Sequence, residues 1–191
     1  MGLRQTPSQT VGPFFSKVLL HEGWNDLAAR GATGQTIVIT GRVLDGDGAP
    51  VPDALLEIWQ ANAAGRYDHP GDARDTPLDP HFNGFGRTGT DKQGRFRFRT
   101  IKPGPVPGLD GSIQAPHINV SVFARGLLKR VVTRIYFPDE PLNARDPVLT
   151  SLPDVARCAT LIARPAEGVS KADLSFDIVL QGDNETVFFD V

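Results

Sequence analysis

The sequence predicts a mainly β protein, an antiparallel β-sandwich with one or two short helices and long loops. About seven segments have strand-like composition, and most of them alternate apolar with polar residues. Only one segment has apolar residues at helical spacing over several turns. With 20 Gly and 16 Pro among 191 residues, turns are frequent, which favours many short strands over long helices.

The length and composition are typical of one soluble globular domain, which we place at residues 1–191, with an N-terminal arm at 1–35 and a β-sandwich core at 36–191. The formal net charge of −2 argues against nucleic acid as the main partner. No stretch approaches the roughly 20 apolar residues that span a membrane. Cys158 is the single cysteine, which excludes an intrachain disulfide and is compatible with the cytoplasm.

The N-terminal part of the chain is predicted to be extended. Pro7 and Pro13 disfavour a helix, and the adjacent Phe14 and Phe15 favour an arm that packs against another chain over a frayed terminus. The first core strand is expected over Thr36–Leu44, with a kink or bulge at its glycine, Gly41.

Two further strands flank a long loop. Ala54–Gln60 follows an Asp-Gly turn, and Arg95–Ile101 alternates strictly, with its phenylalanines predicted inward and its arginines outward. Between them, residues 61–87 show no periodicity and hold Tyr67, His69 and His81. A loop of this length in a compact domain is usually functional.

The second half of the chain supplies the remaining elements. Ala115–Arg125 and Arg130–Phe137 are predicted strands, followed by a helix over Leu152–Ala163 that Ser151 would cap. Two C-terminal strands complete the prediction, at Leu174–Leu180 and Thr186–Phe189.

The histidine and tyrosine residues are the best candidates for chemistry, and their types and positions indicate a metal centre. His117 and Asn119 are two apart on one predicted strand, so their side chains share a face. Tyr67 begins the long loop, and phenolate with imidazole suits ferric iron. We find no Ser/His/Asp spacing for nucleophilic catalysis and no phosphate-binding glycine loop.

Several motifs, in order along nearly the whole chain, resemble intradiol ring-cleavage dioxygenases. They are Gly12-Pro13-Phe14, Leu56-Glu57-Ile58-Trp59-Gln60-Ala61, Asn62 to Tyr67, Gly86-Arg87, Phe98 to Pro105, Pro116-His117-Ile118 and Thr133-Arg134-Ile135-Tyr136-Phe137. The resemblance implies a β-sandwich in which two tyrosines and two histidines hold Fe(III), and an activity in which O₂ opens a catechol ring between its two hydroxyls.

Carrying this ligand set over to the chain leaves two positions matched and two changed. The tyrosine positions fall on Tyr67 and Val106, and the histidine positions fall on His117 and Asn119. Valine has no donor atom, and an amide oxygen is a weak ligand for ferric iron. The guanidinium that the family places before its histidine pair falls near Gln114. The resemblance therefore implies degenerate ligand positions, with no metal and no catalytic residue in this chain alone.

Some members of the family pair an iron-bearing beta chain with a related iron-free chain. The segments Thr6 to Pro13, Pro116 to Asn119, Phe123 to Gly126 and Glu185 to Asp190 are similar to the iron-free chain. This implies an αβ hetero-oligomer in which the beta chain binds Fe(III). In the partner's pocket Thr10, Gly12, Pro13 and Arg125 would bind the substrate, protocatechuate, which reacts with O₂. Arg125 would hold the substrate carboxylate.

Two other functions remain compatible with the sequence. One is a free-standing enzyme that binds iron through Tyr67, His117 and either His69 or His81. The other is a non-enzymatic β-sandwich binding module. For Arg125 the alternative is an ordinary surface arginine at a strand end, and for Tyr67 and His117 it is a structural role in a hydrogen-bonded core.

Overall fold

Eleven strands form most of the regular structure in the computed structural model, which describes residues 18–108, 111–166, 170 and 172–190. In chain order they are β1 (Thr36–Leu44), β2 (Leu55–Trp59), β3 (Phe85–Gly89), β4 (Arg95–Ile101), β5 (Val106–Pro107), β6 (Ile113–Gln114), β7 (His117–Phe123), β8 (Val131–Tyr136), β9 (Arg164–Pro165), β10 (Asp173–Ser175) and β11 (Ile178–Val179). In the second half of the chain lie the α-helices α1 (Pro147–Ser151) and α2 (Val155–Ala159), and a 3₁₀ helix covers Pro141–Arg145.

Strand β1 organises the first sheet. It pairs antiparallel with β4 along one edge. Along its other edge it pairs in parallel, first with β10 and then with β11, and β9 pairs antiparallel with β10. The sheet is therefore mixed, because β4 pairs antiparallel with β1 whereas the C-terminal strands β10 and β11 pair in parallel with it.

The second sheet carries the residues of functional interest. Its strand order is β3-β2-β7-β8, and all its pairings are antiparallel. A separate two-stranded ribbon, β5-β6, precedes β7. Strand β7 therefore lies inside the sheet, between β2 and β8.

Alternating residues of the two sheets meet in one apolar core. Leu56 and Ile58 from β2 and Phe96 and Phe98 from β4 are buried in the same cluster, which also takes Leu27 from the segment before β1. Burying a side chain of this size contributes roughly 1.5–3 kcal/mol. The prediction of a mainly β sandwich is confirmed, and so is the inward direction of the β4 phenylalanines.

The helix predicted over Leu152–Ala163 is wrong in its extent and in its cap. The structure has two one-turn helices, and Ser151 is the last residue of α1. Asp154 caps α2 by accepting from the backbone N–H of Ala156 at 2.8 Å. The break has a local cause, because Pro153 disfavours helical backbone at Leu152, which is extended (φ −77°, ψ 132°).

The C-terminal strands are shorter than predicted. Leu174–Leu180 divides into β10 and β11, and Thr186–Phe189 contributes one isolated bridge, between Val132 and Phe189. Gly41 lies where β1 changes from one parallel partner to the other. Its pairing with β4 continues without a bulge, and glycine is needed there because a Cβ would lie 1.8 Å from the carbonyl oxygen of Phe176.

No helix in the described part of the chain has the length and apolar character needed to cross a membrane.

Candidate functional site

Tyr67 has a fixed position because its loop is braced by polar contacts. Asn62 Oδ1 accepts hydrogen bonds from the backbone N–H groups two and four residues downstream, each at 3.0 Å. Asp72 Oδ2 accepts from the backbone N–H of Tyr67 at 2.9 Å and forms an ion pair with Arg74 at 2.5 Å. The hydrogen bond from Arg74 holds the pKa of Asp72 well below its usual range, so the Asp72 carboxylate is ionised at neutral pH.

Close backbone contact brings the segments of Tyr67 and Val106 together. Gly65 has a positive φ of 79°, and a Cβ there would lie 2.0 Å from the carbonyl oxygen of Pro105. Val106 is buried and pairs with Gln114 in the β5-β6 ribbon. Tyr67 and Val106 consequently line one open cavity.

His117 lies at the start of β7 and is buried. Its Nδ1 lies 2.8 Å from the carbonyl oxygen of Ala115, which makes Nδ1 the protonated nitrogen and leaves Nε2 as an acceptor. Its ring lies 5.7 Å from that of Tyr136. Burial, with a further contribution from the charge of Arg134, lowers the pKa of His117 to about 4, so the imidazole is neutral at physiological pH.

Asn119 lies beside the residue on which Tyr67 packs. It is directly opposite Trp59 in the register of β2 and β7, and its Nδ2 donates to the carbonyl oxygen of Trp59 at 3.4 Å. The Tyr67 ring stacks on Trp59, with 5.7 Å between ring centres and 18° between planes. Burial raises the pKa of Tyr67, so its hydroxyl stays protonated.

Tyr67 and Val106 share one cavity, and His117 and Asn119 share one face of β7, but the donors at these four positions do not suit a ferric ion. Tyr67 offers a protonated phenol, His117 one neutral imidazole, Asn119 an uncharged amide and Val106 no donor. Ferric iron is a hard cation that is best bound by anionic oxygen ligands. Within the described ranges, no group of three or more His, Cys, Asp or Glu side chains is arranged to hold a metal ion.

Two polar residues beside this site, Arg134 and Asp146, were not predicted from the sequence as site residues. Arg134 on β8 donates from Nη1 to Gln114 Oε1 at 2.7 Å and to the Tyr136 hydroxyl at 3.2 Å. The Tyr136 hydroxyl in turn donates to Asp146 Oδ1 at 3.1 Å. A guanidinium therefore lies beside Gln114, but it comes from β8, later in the chain.

Asp146 is fully buried and accepts four hydrogen bonds. Besides the Tyr136 hydroxyl, its carboxylate accepts from the backbone N–H groups of Ala115, Val148 and Leu149, at 2.7, 2.9 and 3.0 Å. It therefore caps α1 and also fixes the entry to β7. Sequence reasoning could have found the capping role, because Asp146 precedes Pro147 at a helix start.

Arg125 lies beyond the opposite end of β7 from His117. The strand separates them by roughly 20 Å. The Arg125 side chain is 79% exposed, and its Nε forms an ion pair with Asp53 at 2.5 Å. The structure thus does not bring Arg125 to the degenerate ligand positions. Thr10, Gly12 and Pro13 lie outside the described residues.

The two alternative histidine ligands differ in position. His69 lines the cavity that Tyr67 and Val106 share. His81 lies in a separate groove with Trp24 and Asp79. Of the two, the structure brings only His69 near Tyr67.

Comparison with known proteins gives consistent matches. A family model described as Dioxygenase matches residues 12–182. The chain is 42% identical to the protocatechuate 3,4-dioxygenase alpha chain of Burkholderia cepacia, over 99% of this chain and 98% of that protein. It is 48% identical to the protocatechuate 3,4-dioxygenase beta chain of the same organism, over 80% of this chain and 67% of that one.

A solved structure extends the comparison to the fold. The dioxygenase domain of a dioxygenase–carbohydrate-binding protein fusion from Streptomyces sp. SirexAA-E superposes with a TM-score of 0.63 at 29% identity. The match covers 94% of this chain and 99% of that domain. The likeness therefore extends over the β-sandwich as a whole.

Proposed function

This chain belongs to the intradiol ring-cleavage dioxygenase family, and from that premise we propose that it is the iron-free alpha subunit of a heteromeric protocatechuate 3,4-dioxygenase. In this assembly a beta chain binds Fe(III), and the alpha chain completes the beta chain's active site. The complex is an αβ hetero-oligomer that acts in the cytoplasm. The isolated alpha chain is inactive.

One observation carries the proposal. Of the four positions at which the family holds iron, Val106 has no donor and Asn119 has an uncharged amide, which is a weak ligand for ferric iron. A chain with this site needs another chain to supply the metal. The nearly full-length similarity to an alpha chain, against partial coverage of a beta chain, supports the same assignment.

The chemistry belongs to the complex. Protocatechuate and O₂ give 3-carboxy-cis,cis-muconate: the bond between the two hydroxyl-bearing carbons breaks, and both oxygen atoms enter the product. Iron in the beta chain activates the substrate for this reaction. The alpha chain contributes binding and orientation, which raise the rate by holding the substrate in a reactive position.

Arg125 is the residue of this chain to which we assign a contact with substrate. Protocatechuate has a carboxylate on the side of the ring away from its hydroxyls, and a guanidinium binds a carboxylate by charge-assisted hydrogen bonds. The exposure of Arg125 allows another chain to approach it. In the proposed complex Thr10, Gly12 and Pro13 line the same pocket of the partner.

Co-expression with a beta-type chain tests the assembly. The two chains should co-purify, and the complex should consume O₂ when protocatechuate is added. Metal analysis of the alpha chain expressed alone should find no iron. Stoichiometric ferric iron in that chain, with a red-brown phenolate-to-iron colour, would refute the proposal.

A free-standing iron enzyme is the second candidate, favoured by the position of His69 in the cavity beside Tyr67. It predicts iron in the isolated chain and loss of that iron on His69→Ala substitution. A co-purified but colourless and inactive complex would instead indicate a binding module without catalysis.

Arg125→Ala in the assembled enzyme tests the contact with substrate. Loss of a hydrogen bond to a charged group costs about 1.5–3 kcal/mol, which lowers kcat/KM for protocatechuate roughly 10- to 150-fold. Lys129→Ala removes another exposed cation of the same hairpin and should leave kcat/KM within twofold. An unchanged kcat/KM for Arg125→Ala would show that this arginine does not contact substrate.

A further inference from the structure

Arg134 faces the degenerate ligand positions across two neighbouring strands. In the antiparallel register of β7 and β8, Asn119 is directly opposite Arg134, and His117 is directly opposite Tyr136. Directly opposite residues of an antiparallel pair point to the same face of the sheet. The side chain of Arg134 therefore leaves β8 on the same face of the sheet as the side chains of His117 and Asn119.

The contacts of the guanidinium keep it in this region. Its Nη1 donates to Gln114 Oε1 at 2.7 Å and to the Tyr136 hydroxyl at 3.2 Å, and its carbon lies 5.8 Å from the centre of the Phe189 ring. Both hydrogen-bond acceptors are neutral. Among residues 18–108, 111–166, 170 and 172–190, the ion pairs do not include Arg134.

The stacking of Tyr67 brings a third ligand position to the same face of the sheet. The Tyr67 ring stacks on Trp59, with 5.7 Å between ring centres, and Trp59 is directly opposite Asn119 in the register of β2 and β7. Arg134 is directly opposite Asn119 on the other side of β7. The guanidinium therefore lies on the face where ligands at Tyr67, His117 and Asn119 would meet.

We propose that the guanidinium of Arg134 is a resident cation that takes the place of the metal charge at this site and closes the site to metal ions. Repulsion between a guanidinium and a metal cation is strong in a partly buried site, where solvent screening is weak. Restoring the two missing ligands alone would therefore not restore metal binding. The inference rests on the proposed function only in treating these positions as degenerate ligands.

The test restores the ligands in three charge backgrounds. Val106→Tyr with Asn119→His is made with the native Arg134, with Arg134→Lys, which keeps the charge, and with Arg134→Gln, which removes it and retains a hydrogen-bond donor. The open cavity of about 740 Å³ beside Val106 leaves room for the larger ring. Each protein is stripped with a chelator and titrated with ferric nitrilotriacetate, and visible absorption reports phenolate-bound iron.

We expect the Gln background to bind about one iron per chain, with at least tenfold higher affinity than the Arg and Lys backgrounds. Affinities within twofold of one another in all three, including no binding in any, would overturn the proposal. Thermal melting establishes that each protein is folded. If the triple variants do not fold, Asn119→His with and without Arg134→Gln is titrated with Zn²⁺, and the same tenfold difference is expected.

The outcomes separate this inference from the proposed function. Iron in the unaltered chain would contradict both. No iron in the unaltered chain, with equal affinities in the three backgrounds, would contradict only the role of Arg134. Co-purification with a beta chain is independent of the titration and reports on the assembly alone.

Discussion

Replacing Asp146 with alanine should destabilise the protein more than any other single loss of a helix cap in the described part of the chain. The carboxylate is fully buried and accepts from three backbone N–H groups and from the Tyr136 hydroxyl. Alanine leaves all four donors without this acceptor. Buried donors that lose their partner incur their desolvation cost, which is why truncation costs more than the net value of the bonds.

The magnitude follows from the four contacts. The two bonds to Val148 and Leu149 form an N-cap, which is worth about 1 kcal/mol. The bonds from Ala115 and the Tyr136 hydroxyl are buried, and each contributes about 1–2 kcal/mol. Asp146→Ala should therefore lower the free energy of unfolding by about 3–5 kcal/mol.

Urea unfolding followed by tryptophan fluorescence measures this loss, with an unchanged m-value as the sign that the unfolded state is unaffected. Asp154→Ala is the matched control, because Asp154 also caps a helix but is exposed and accepts from one capping N–H. It should cost about 0.5–1 kcal/mol. The reasoning is refuted if the two variants differ by less than 1 kcal/mol.

Three further outcomes are expected. Gly41→Ala should destabilise the protein by about 2–4 kcal/mol in thermal melts, because a Cβ there would lie 1.8 Å from the Phe176 carbonyl oxygen, whereas Gly46→Ala, whose nearest contact would be 3.3 Å, should change little. The pKa of His117 falls from 6.5 unfolded to about 4 folded, so wild-type stability should decline as pH drops through this window, by roughly 3 kcal/mol more than in His117→Gln; equal pH slopes in urea unfolding would contradict this. Tyr67→Phe should leave O₂ uptake by the assembled enzyme within twofold, since phenylalanine keeps the ring that stacks on Trp59; a larger loss would assign Tyr67 a catalytic role.

Much of the fold could be predicted because its strands carry a local signal. In β4 and β7 the apolar and polar residues alternate, and alternation on a strand separates a buried face from an exposed one. The same alternation predicted that His117 and Asn119 share a face. These features depend on neighbours in sequence, so they are visible without the structure.

The errors lie where long-range contacts decide. The sequence predicts a kink or bulge at Gly41; the pairing with β4 continues without a bulge, and the glycine accommodates the carbonyl oxygen of Phe176, which is distant in sequence. Apolar spacing predicts a helix over Leu152–Ala163, yet Pro153 disfavours helical backbone at Leu152, and Leu149 of α1 packs with Leu161, which follows α2, in the small cluster around Tyr136. Periodicity alone cannot reveal either outcome.

The candidate site was likewise predicted in part from the sequence and decided in part by long-range contacts. The resemblance identifies Tyr67, Val106, His117 and Asn119, and in the structure the close approach of Gly65 to Pro105 brings the segments of Tyr67 and Val106 together. The family's guanidinium position falls near Gln114 in sequence, and in the fold Arg134 of β8 donates to Gln114.

The sequence by itself determined the strand pattern, the family and the loss of two ligand donors, because each depends on residue type and local order. Only the tertiary structure decided which side chains lie beside the positions of the missing donors. Strand register sets Arg134 opposite Asn119, and burial keeps His117 neutral and Tyr67 protonated. Strand register and burial depend on contacts between chain segments that are far apart in sequence. They therefore follow from the fold and cannot be derived from a local sequence motif.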